Sequence, residues 1–481
     1  MSKKVILFNP HTYHPSDRGI MALEARRGSA PLLLLPLAGP LLYAGFDVTI
    51  INQTDTRNWK ALLLDSLTQN PLCIGINAIK EVQIPFALEV SRMVKANRNI
   101  PVIWSGINYI TTPEQALANN AIDIVFTGDA ENAFTELACA LEQKTPLAAV
   151  KGICYRNNDR IERTSPADLV EMSKQPPPPI HLLKDHHPSE LRFVTSKGCP
   201  YQCLFCHNET LYHHTWNGVS AEESLKTVRA TCQRHQSTAR IIRFQDRNFF
   251  SDPARAQAIA EGLIDIGLPW SASGRIDPFL DSSDAFLETL EKSRLQELVL
   301  GVESGSQRML DLLKKNITVS DVIKVNQRLR RYSFDVTYLF LIGMPTETID
   351  DINATLSLIA TLLKDNARAR KNINIYTPYL SNALSRLAIA DGFQLPAKLE
   401  DWAQYNMKNT VGRPWLDAQR KQLIEMIVFC SIFMEKPRFP KNSPLHYLWY
   451  LYQPVALARI KNLYARFPVE IKLANLSGFS G

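Results

Sequence analysis

The segment Thr195-Ser196-Lys197-Gly198-Cys199-Pro200-Tyr201-Gln202-Cys203-Leu204-Phe205-Cys206 places three thiols at C-x3-C-x2-C spacing. A loop of that length can curl three thiolates around one iron-sulfur cubane, each holding one iron, and leave the fourth iron without a protein ligand. An open iron can chelate the amino and carboxylate groups of S-adenosylmethionine and position its sulfonium for cleavage by electron transfer. That chemistry belongs to the cofactor rather than to side chains. The competing reading is a zinc site, which wants four ligands and would recruit His207, His213 or His214. Zinc ribbons pair C-x2-C units across a longer loop, and no second pair is present. The other five of the eight cysteines, Cys73, Cys139, Cys154, Cys232 and Cys430, stand singly, mostly in apolar runs, and read as small buried side chains.

Such a loop needs a scaffold, and from residue 191 short apolar runs alternate with segments of helical period. LRFVTS (191–196), ARIIRFQD (239–246), LPWSASGR (268–275), QELVLGVE (296–303), FDVTYLFLIG (334–343) and NINIYTP (372–378) are candidate strands. Stretches such as SAEESLKTVRATCQRH and DDINATLSLIATLLKDN separate them. Six strand-helix units over residues 191–395 predict a partial (β/α)6 barrel of parallel strands with its chemistry at their carboxyl ends. The cysteine triplet follows the first strand, and Asp246, Arg275, Glu303 and Gly343 fall at the ends of later ones. For Arg275 and Glu303 the plainer alternative is an ion pair inside the barrel.

Ahead of this, runs at 4–9, 46–52, 72–78, 101–106 and 122–129 alternate with helical segments, the pattern of a parallel sheet covered on both faces. Residues 1–145 therefore predict an α/β, Rossmann-like, doubly wound domain. Its later strands end in Asn77-Ala78, Ser105-Gly106 and Gly128-Asp129, where missing side chains would let backbone approach a large planar or phosphate-bearing cofactor. The alternative for Gly106 and Gly128 is a plain tight turn. No Gly-x-Gly-x-x-Gly follows the first strand, which disfavours a dinucleotide. Residues 146–190 read as a linker containing a small hairpin, KGICYRNNDRIERT, and the stiff run Pro176-Pro177-Pro178-Pro179. Residues 396–481 are helical and aromatic, either an appendage on the barrel or a basic-aromatic surface meeting substrate or a membrane interface. Trp402, Trp415, Tyr447, Trp449, Tyr450 and Tyr452 are read as a cap on the barrel mouth that would select an apolar or lipid-like molecule.

Hydrophobic residues at 45% and charged residues at 21% of 481 exclude a disordered or fibrous chain. The charge of +7, from 54 basic and 47 acidic side chains without a block of like sign, falls short of a nucleic-acid signature. It favours an anionic ligand or a lipid surface. MSKKVILFNP enters a strand without a secretory apolar region, and the apolar stretch Ala30–Leu42 is broken by Pro31, Pro36 and Pro40. A cytoplasmic protein with reduced thiols is expected.

With these residues in place, the chain resembles the radical S-adenosylmethionine enzymes, whose hallmark is C-x3-C-x2-C with an aromatic residue before the last cysteine, here Phe205. The likeness continues in Phe244-Gln245-Asp246-Arg247-Asn248-Phe249-Phe250, Gly301-Val302-Glu303-Ser304-Gly305-Ser306 and Gly343-Met344-Pro345-Thr346-Glu347-Thr348. It implies that Cys199, Cys203 and Cys206 hold a catalytic [4Fe-4S] cluster and that the turn at Asp246 helps hold the methionyl amino group. Arg275 and Glu303 would serve carboxylate and ribose hydroxyls, and Gly343 and Pro345 would shape backbone against adenine. The amino-terminal part is similar to the cobalamin-binding domain joined to a large branch of this family, through PLAGPLLYAGFDVTIINQTD and IDIVFTGDAENAFTEL. Asn77, Ser105, Gly106 and Gly128 would then line the corrin. The Asp-x-His-x-x-Gly motif of other B12 proteins is absent, and His11 and His14 lack its spacing, which implies binding without a histidine lower ligand. The resemblance implies methylation of an unactivated carbon of a small-molecule or lipid-like substrate through a 5'-deoxyadenosyl radical, with an external electron donor such as flavodoxin or ferredoxin. Radical cyclisation or rearrangement without methyl transfer is the alternative. A methylthiotransferase of tRNA or protein is disfavoured because Cys73 and Cys139 are isolated.

Overall fold

The computed structural model describes residues 3–11, 34–54, 56–78, 81–106, 112–158, 160–183, 189–379, 382–405, 410–437 and 442–466; His14 and Pro31 lie outside them. The first sheet contains β1 (Lys4–Asn9), β2 (Asp47–Asn52), β3 (Cys73–Asn77), β4 (Val102–Ser105), β5 (Ile124–Phe126), β6 (Ile153–Asn157) and β7 (Arg160–Arg163). Their order is β2-β1-β3-β4-β5-β6-β7, parallel from β2 to β5. Val5, Ile6, Leu7 and Phe8 are all fully buried, because helices cover both faces of the sheet. Leu35–Tyr43 and Ala130–Gln143 pack on one side, Trp59–Thr68 and Ile84–Asn97 on the other. The hairpin β6-β7 pairs antiparallel with β5, so residues read as linker carry the first sheet on to Arg163.

The second unit begins with β8 (Glu190–Phe193), followed at once by a small antiparallel ribbon of β9 (Ser196–Gly198) and β10 (Trp216–Gly218). Then come β11 (Ile241–Phe244), β12 (Trp270–Arg275), β13 (Leu295–Glu303), β14 (Asp335–Ile342) and β15 (Ala369–Ile375). The six strands β8-β11-β12-β13-β14-β15 pair in parallel in chain order, a barrel left open between β8 and β15. Helix starts set the returns: Ser220, Asp252, Ser306, Thr318 and Thr348 each accept a hydrogen bond from a backbone N–H of the first turn. Each such cap is worth about 1 kcal/mol.

One apolar core belongs to both units. Ile84 and Leu88 of the first pack in the same cluster as Met309, Leu313, Leu384, Leu399 and Trp402 of the second. Trp402 Nε1 donates to Gln115 Oε1 at 2.7 Å, and Arg92 meets Glu400 at 3.0 Å. No helix among the described residues is long and apolar enough to cross a membrane.

Candidate active site

Immediately after β9 the chain must turn into Cys199, and Gly198 does so at φ +77. A Cβ there would stand 2.1 Å from the carbonyl oxygen of Thr215, so the position excludes any side chain. Thr215 O accepts from Cys199 N, and Cys203 O accepts from Cys206 N. Further along, Leu204 N donates to Leu313 O, Leu384 N to Leu204 O, and Asn382 Nδ2 to Phe205 O. The cysteine loop is thereby tied to segments that follow β13 and β15. Cys199 is buried, and Cys203 and Cys206 are half-buried. Burial pushes the thiols of Cys199 and Cys206 up, and each also feels the neighbouring thiols of the triplet. Arg275 Nη1 lies 3.0 Å from Cys203 Sγ, and Asn248 Nδ2 lies 3.8 Å from Cys199 Sγ.

The residues expected at the strand ends are present there, and several are held differently from expectation. Asp246 is 1% exposed, with its two oxygens accepting from Thr195 N, Thr195 Oγ1 and Ser196 Oγ at 2.6–2.7 Å. Its carboxylate therefore fixes the start of the cysteine loop. Arg275 and Glu303 each stand in an ion pair, as the plainer alternative had it, though with separate partners. Arg275 bonds Asp277 at 2.6 Å, donates to Lys315 O and stacks 3.8 Å from the Tyr201 ring, while Glu303 meets Lys315 Nζ at 3.2 Å. Glu303 sits at φ +79 beside a register shift in the β13-β14 pairing, which accounts for its turn toward Lys315. Gly343, at φ +74, donates its N–H to Glu347 and accepts from Trp415 Nε1 at 3.0 Å. Lys315 was not anticipated. Its side chain is 3% exposed and its Nζ is 5.7 Å from the centre of the Phe205 ring, yet nothing in KKNITVS marks it as buried.

The strand ends of the two sheets enclose a cavity of about 850 Å³. Asn77, Ser105, Gly106 and Gly128 line it from the first unit; Thr195, Lys197, Asp246, Arg247 and Ser273 line it from the second. Ser105 Oγ donates to Asn77 Oδ1 at 3.0 Å, and a Cβ at Gly128 would meet only Ala167, at 3.7 Å. Pro176, Pro177 and Pro178 close one side, so the stiff run walls the cavity as well as connecting units. Lys197 joins the halves, with Asp129 at 3.1 Å and Glu131 also bonded to its Nζ, all three side chains 11% exposed. Burial, then the charge of Glu131, lifts the Asp129 carboxyl to about 6. Among the described residues no histidine lines the cavity; His11 contacts Thr54 Oγ1 and the Phe86 ring.

Comparison with known proteins decides the family. The radical SAM superfamily matches residues 193–359, and the B12 binding domain matches residues 27–138. The chain is a B12-binding radical SAM enzyme. It is 27% identical to uncharacterized methyltransferase PH0819 of Pyrococcus horikoshii, over 70% of this chain and 72% of that protein. It is 24% identical to the anaerobic magnesium-protoporphyrin IX monomethyl ester cyclase of Rubrivivax gelatinosus, over 90% of this chain and 78% of the cyclase. In fold it is similar to the cobalamin-dependent S-adenosylmethionine radical enzyme OxsB, with TM-score 0.74, 16% identity, and 98% of this chain and 74% of that one covered.

A B12-binding radical SAM enzyme uses a [4Fe-4S] cluster, S-adenosylmethionine and cobalamin, and the residues present fit these groups. Among the described residues no three His, Cys, Asp or Glu side chains are gathered tightly enough to hold a single metal ion. A cubane asks for one thiolate at each of three separate irons, a wider spacing. Near the triplet Asn248 Oδ1 is buried without a partner, leaving polar capacity beside the cluster loop. Of the histidines the zinc alternative would recruit, His214 Nδ1 contacts Tyr201 O at 3.1 Å, the His207 ring packs against Tyr379, and His213 is exposed. For the corrin, the open space over Gly128 and a volume toward the top of the ligand-pocket range of about 300–1,000 Å³ provide room.

Proposed function

We propose that this enzyme methylates an unactivated carbon of a small-molecule substrate, with Cys199, Cys203 and Cys206 as the protein ligands of its cluster. The observation that carries this reading is the single cavity of about 850 Å³ shared by both sets of strand ends. A substrate carbon held there would lie between the strand ends of the first sheet and Thr195, Lys197 and Asp246 at the start of the cysteine loop. When bound, the cluster with S-adenosylmethionine supplies a hydrogen-abstracting 5'-deoxyadenosyl radical, and the corrin supplies a methyl group. The chain's own residues bind, orient and shield. Arg275 hydrogen-bonds Cys203 Sγ and so fixes where that sulfur points. Asp246 holds Thr195 and Ser196 so that the loop presents its thiols in one place. Lys315 and Glu303 neutralise each other beside Phe205 and offer donors and acceptors to ribose or carboxylate groups. Gly343, fixed by Glu347 and Trp415 and covered by Ile424, Ile375 and Leu416, sets the turn after β14.

The methyltransferase name of the Pyrococcus horikoshii relative supports methyl transfer. The cyclase relative, matching 90% of this chain, supports a second reading with the same cofactors and no methyl transfer. Turnover with methyl-labelled S-adenosylmethionine separates them. Label in the isolated product is the expected result, and an unlabelled product after full turnover removes the methyltransferase reading.

A further inference from the structure

The helix Pro444–Lys461 buries Trp449, Ala456 and Ile460 against the outer core of the barrel. Its other apolar residues stand outside: Leu451 is 75% exposed, Tyr447 63%, Leu448 58%, Tyr450 49% and Val455 48%. At helical period these residues share the face opposite the buried three. Elsewhere exposed large apolar side chains are scattered singly, as at Tyr43, Ile161 and Ile389. A contiguous apolar face on one helix is the kind of surface that meets a partner.

Charge says which partner. From Lys436 to Val469 the sequence carries Lys436, Arg438, Lys441, Arg459, Lys461 and Arg466, and not one Asp or Glu. Basic residues thus precede and follow the apolar face. A second copy of the same face would bring basic flanks against basic flanks. An anionic lipid surface complements them, and tyrosines suit the boundary between headgroups and acyl chains. The helix is one that would lie on a bilayer, since no helix among the described residues can cross one.

We propose that Pro444–Lys461 docks flat on an anionic bilayer surface, with Tyr447, Leu448, Leu451 and Val455 entering the headgroup boundary and the basic flanks contacting acidic headgroups. This is independent of the reaction outcome. The test is co-sedimentation of the full-length holoenzyme with vesicles of phosphatidylcholine containing phosphatidylglycerol, and with phosphatidylcholine alone. The expected result is sedimentation with the mixed vesicles only, weakening as salt rises. A Leu448→Asp/Leu451→Asp variant should bind at least about tenfold more weakly. Both positions are exposed, so its far-UV dichroism and cluster absorbance should match wild type. The proposal is overturned if wild type stays in the supernatant with mixed vesicles or if the double variant binds equally well. It is also overturned if light scattering shows a dimer that the double variant dissociates, which would assign the face to a second copy. Sedimentation of a chain ending at Arg466, when the full chain does not sediment, overturns it too, since the chain's own tail would then cover the face.

Discussion

Two rows of strand ends, those of β3–β5 and those of β11–β13, are furnished in opposite ways. β3, β4 and β5 end in Asn77, Ser105, Gly106 and Gly128, small or neutral groups whose one polar contact among themselves is Ser105 to Asn77. β11, β12 and β13 end in Asp246, Arg275 and Glu303, each buried and each engaged by hydrogen bonds or an opposite charge. One row makes space and the other fixes charge. A bulky flat cofactor needs the first, because backbone must come close and no side chain may intrude. A cluster loop and a charged cosubstrate need the second, because desolvated charges must be paired to be tolerated.

The sharpest way to break this contrast is at the thiols. Cys203→Ala should abolish turnover and the broad absorbance near about 400 nm of reconstituted protein, while bound corrin keeps its own spectrum. Next comes the buried pair. Lys315→Met strands Glu303 in the barrel and should cost about 3–5 kcal/mol, read as a lowered urea midpoint, with Lys315→Met/Glu303→Leu recovering part of it. On the opposite row, Gly128→Leu should weaken cobalamin binding by about tenfold or more, about 1.4 kcal/mol, with iron content unchanged. Equal loss of both cofactors would show that the rows are not separable. A pH-dependent effect is at Glu347, buried after β14, whose carboxyl burial pushes up to about 8. The folded state therefore holds a proton that the unfolded state releases near the ordinary glutamate range. Stability from this group falls as pH rises toward about 8, then levels. Glu347→Gln has no proton to lose, so its stability relative to wild type should climb across that interval in paired denaturation curves.

What the sequence displays and what it hides follow the same divide between local and distant causes. A strand buried on both faces appears as an apolar run, as at Val5–Phe8, and one buried mainly on one face as alternation, as at Leu298, Leu300 and Val302, while the thiol spacing is itself a local pattern. Small residues at the ends of β3–β5 were likewise visible, and the structure gathers Asn77, Ser105, Gly106 and Gly128 on one cavity. Lys315 was hidden because its burial comes from Glu303 and Phe205, which reach it from other parts of the fold. Arg275 found Asp277, two residues on, before it could find Glu303 across the barrel. The hairpin β6-β7 looked like part of a connector because edge pairing with β5 leaves no mark in composition. The aromatic residues near the end divide: Trp402 and Trp415 reach the site side of the molecule, Trp449 and Tyr452 pack on Phe433, and Tyr447 and Tyr450 face outward.

Lys197 sits two residues before Cys199 and is bound to Asp129 and Glu131 of the other unit. Although the two units look like interchangeable modules, this arrangement makes them heritable only together. A chimera that took residues 1–165 from a relative with neutral side chains at those two positions would bury a lysine with no counter-charge at the threshold of the thiol loop. Recombination between branches of the family is therefore restricted by three mutually bonded side chains on the cavity wall, and any exchange of the front half must carry its acids along.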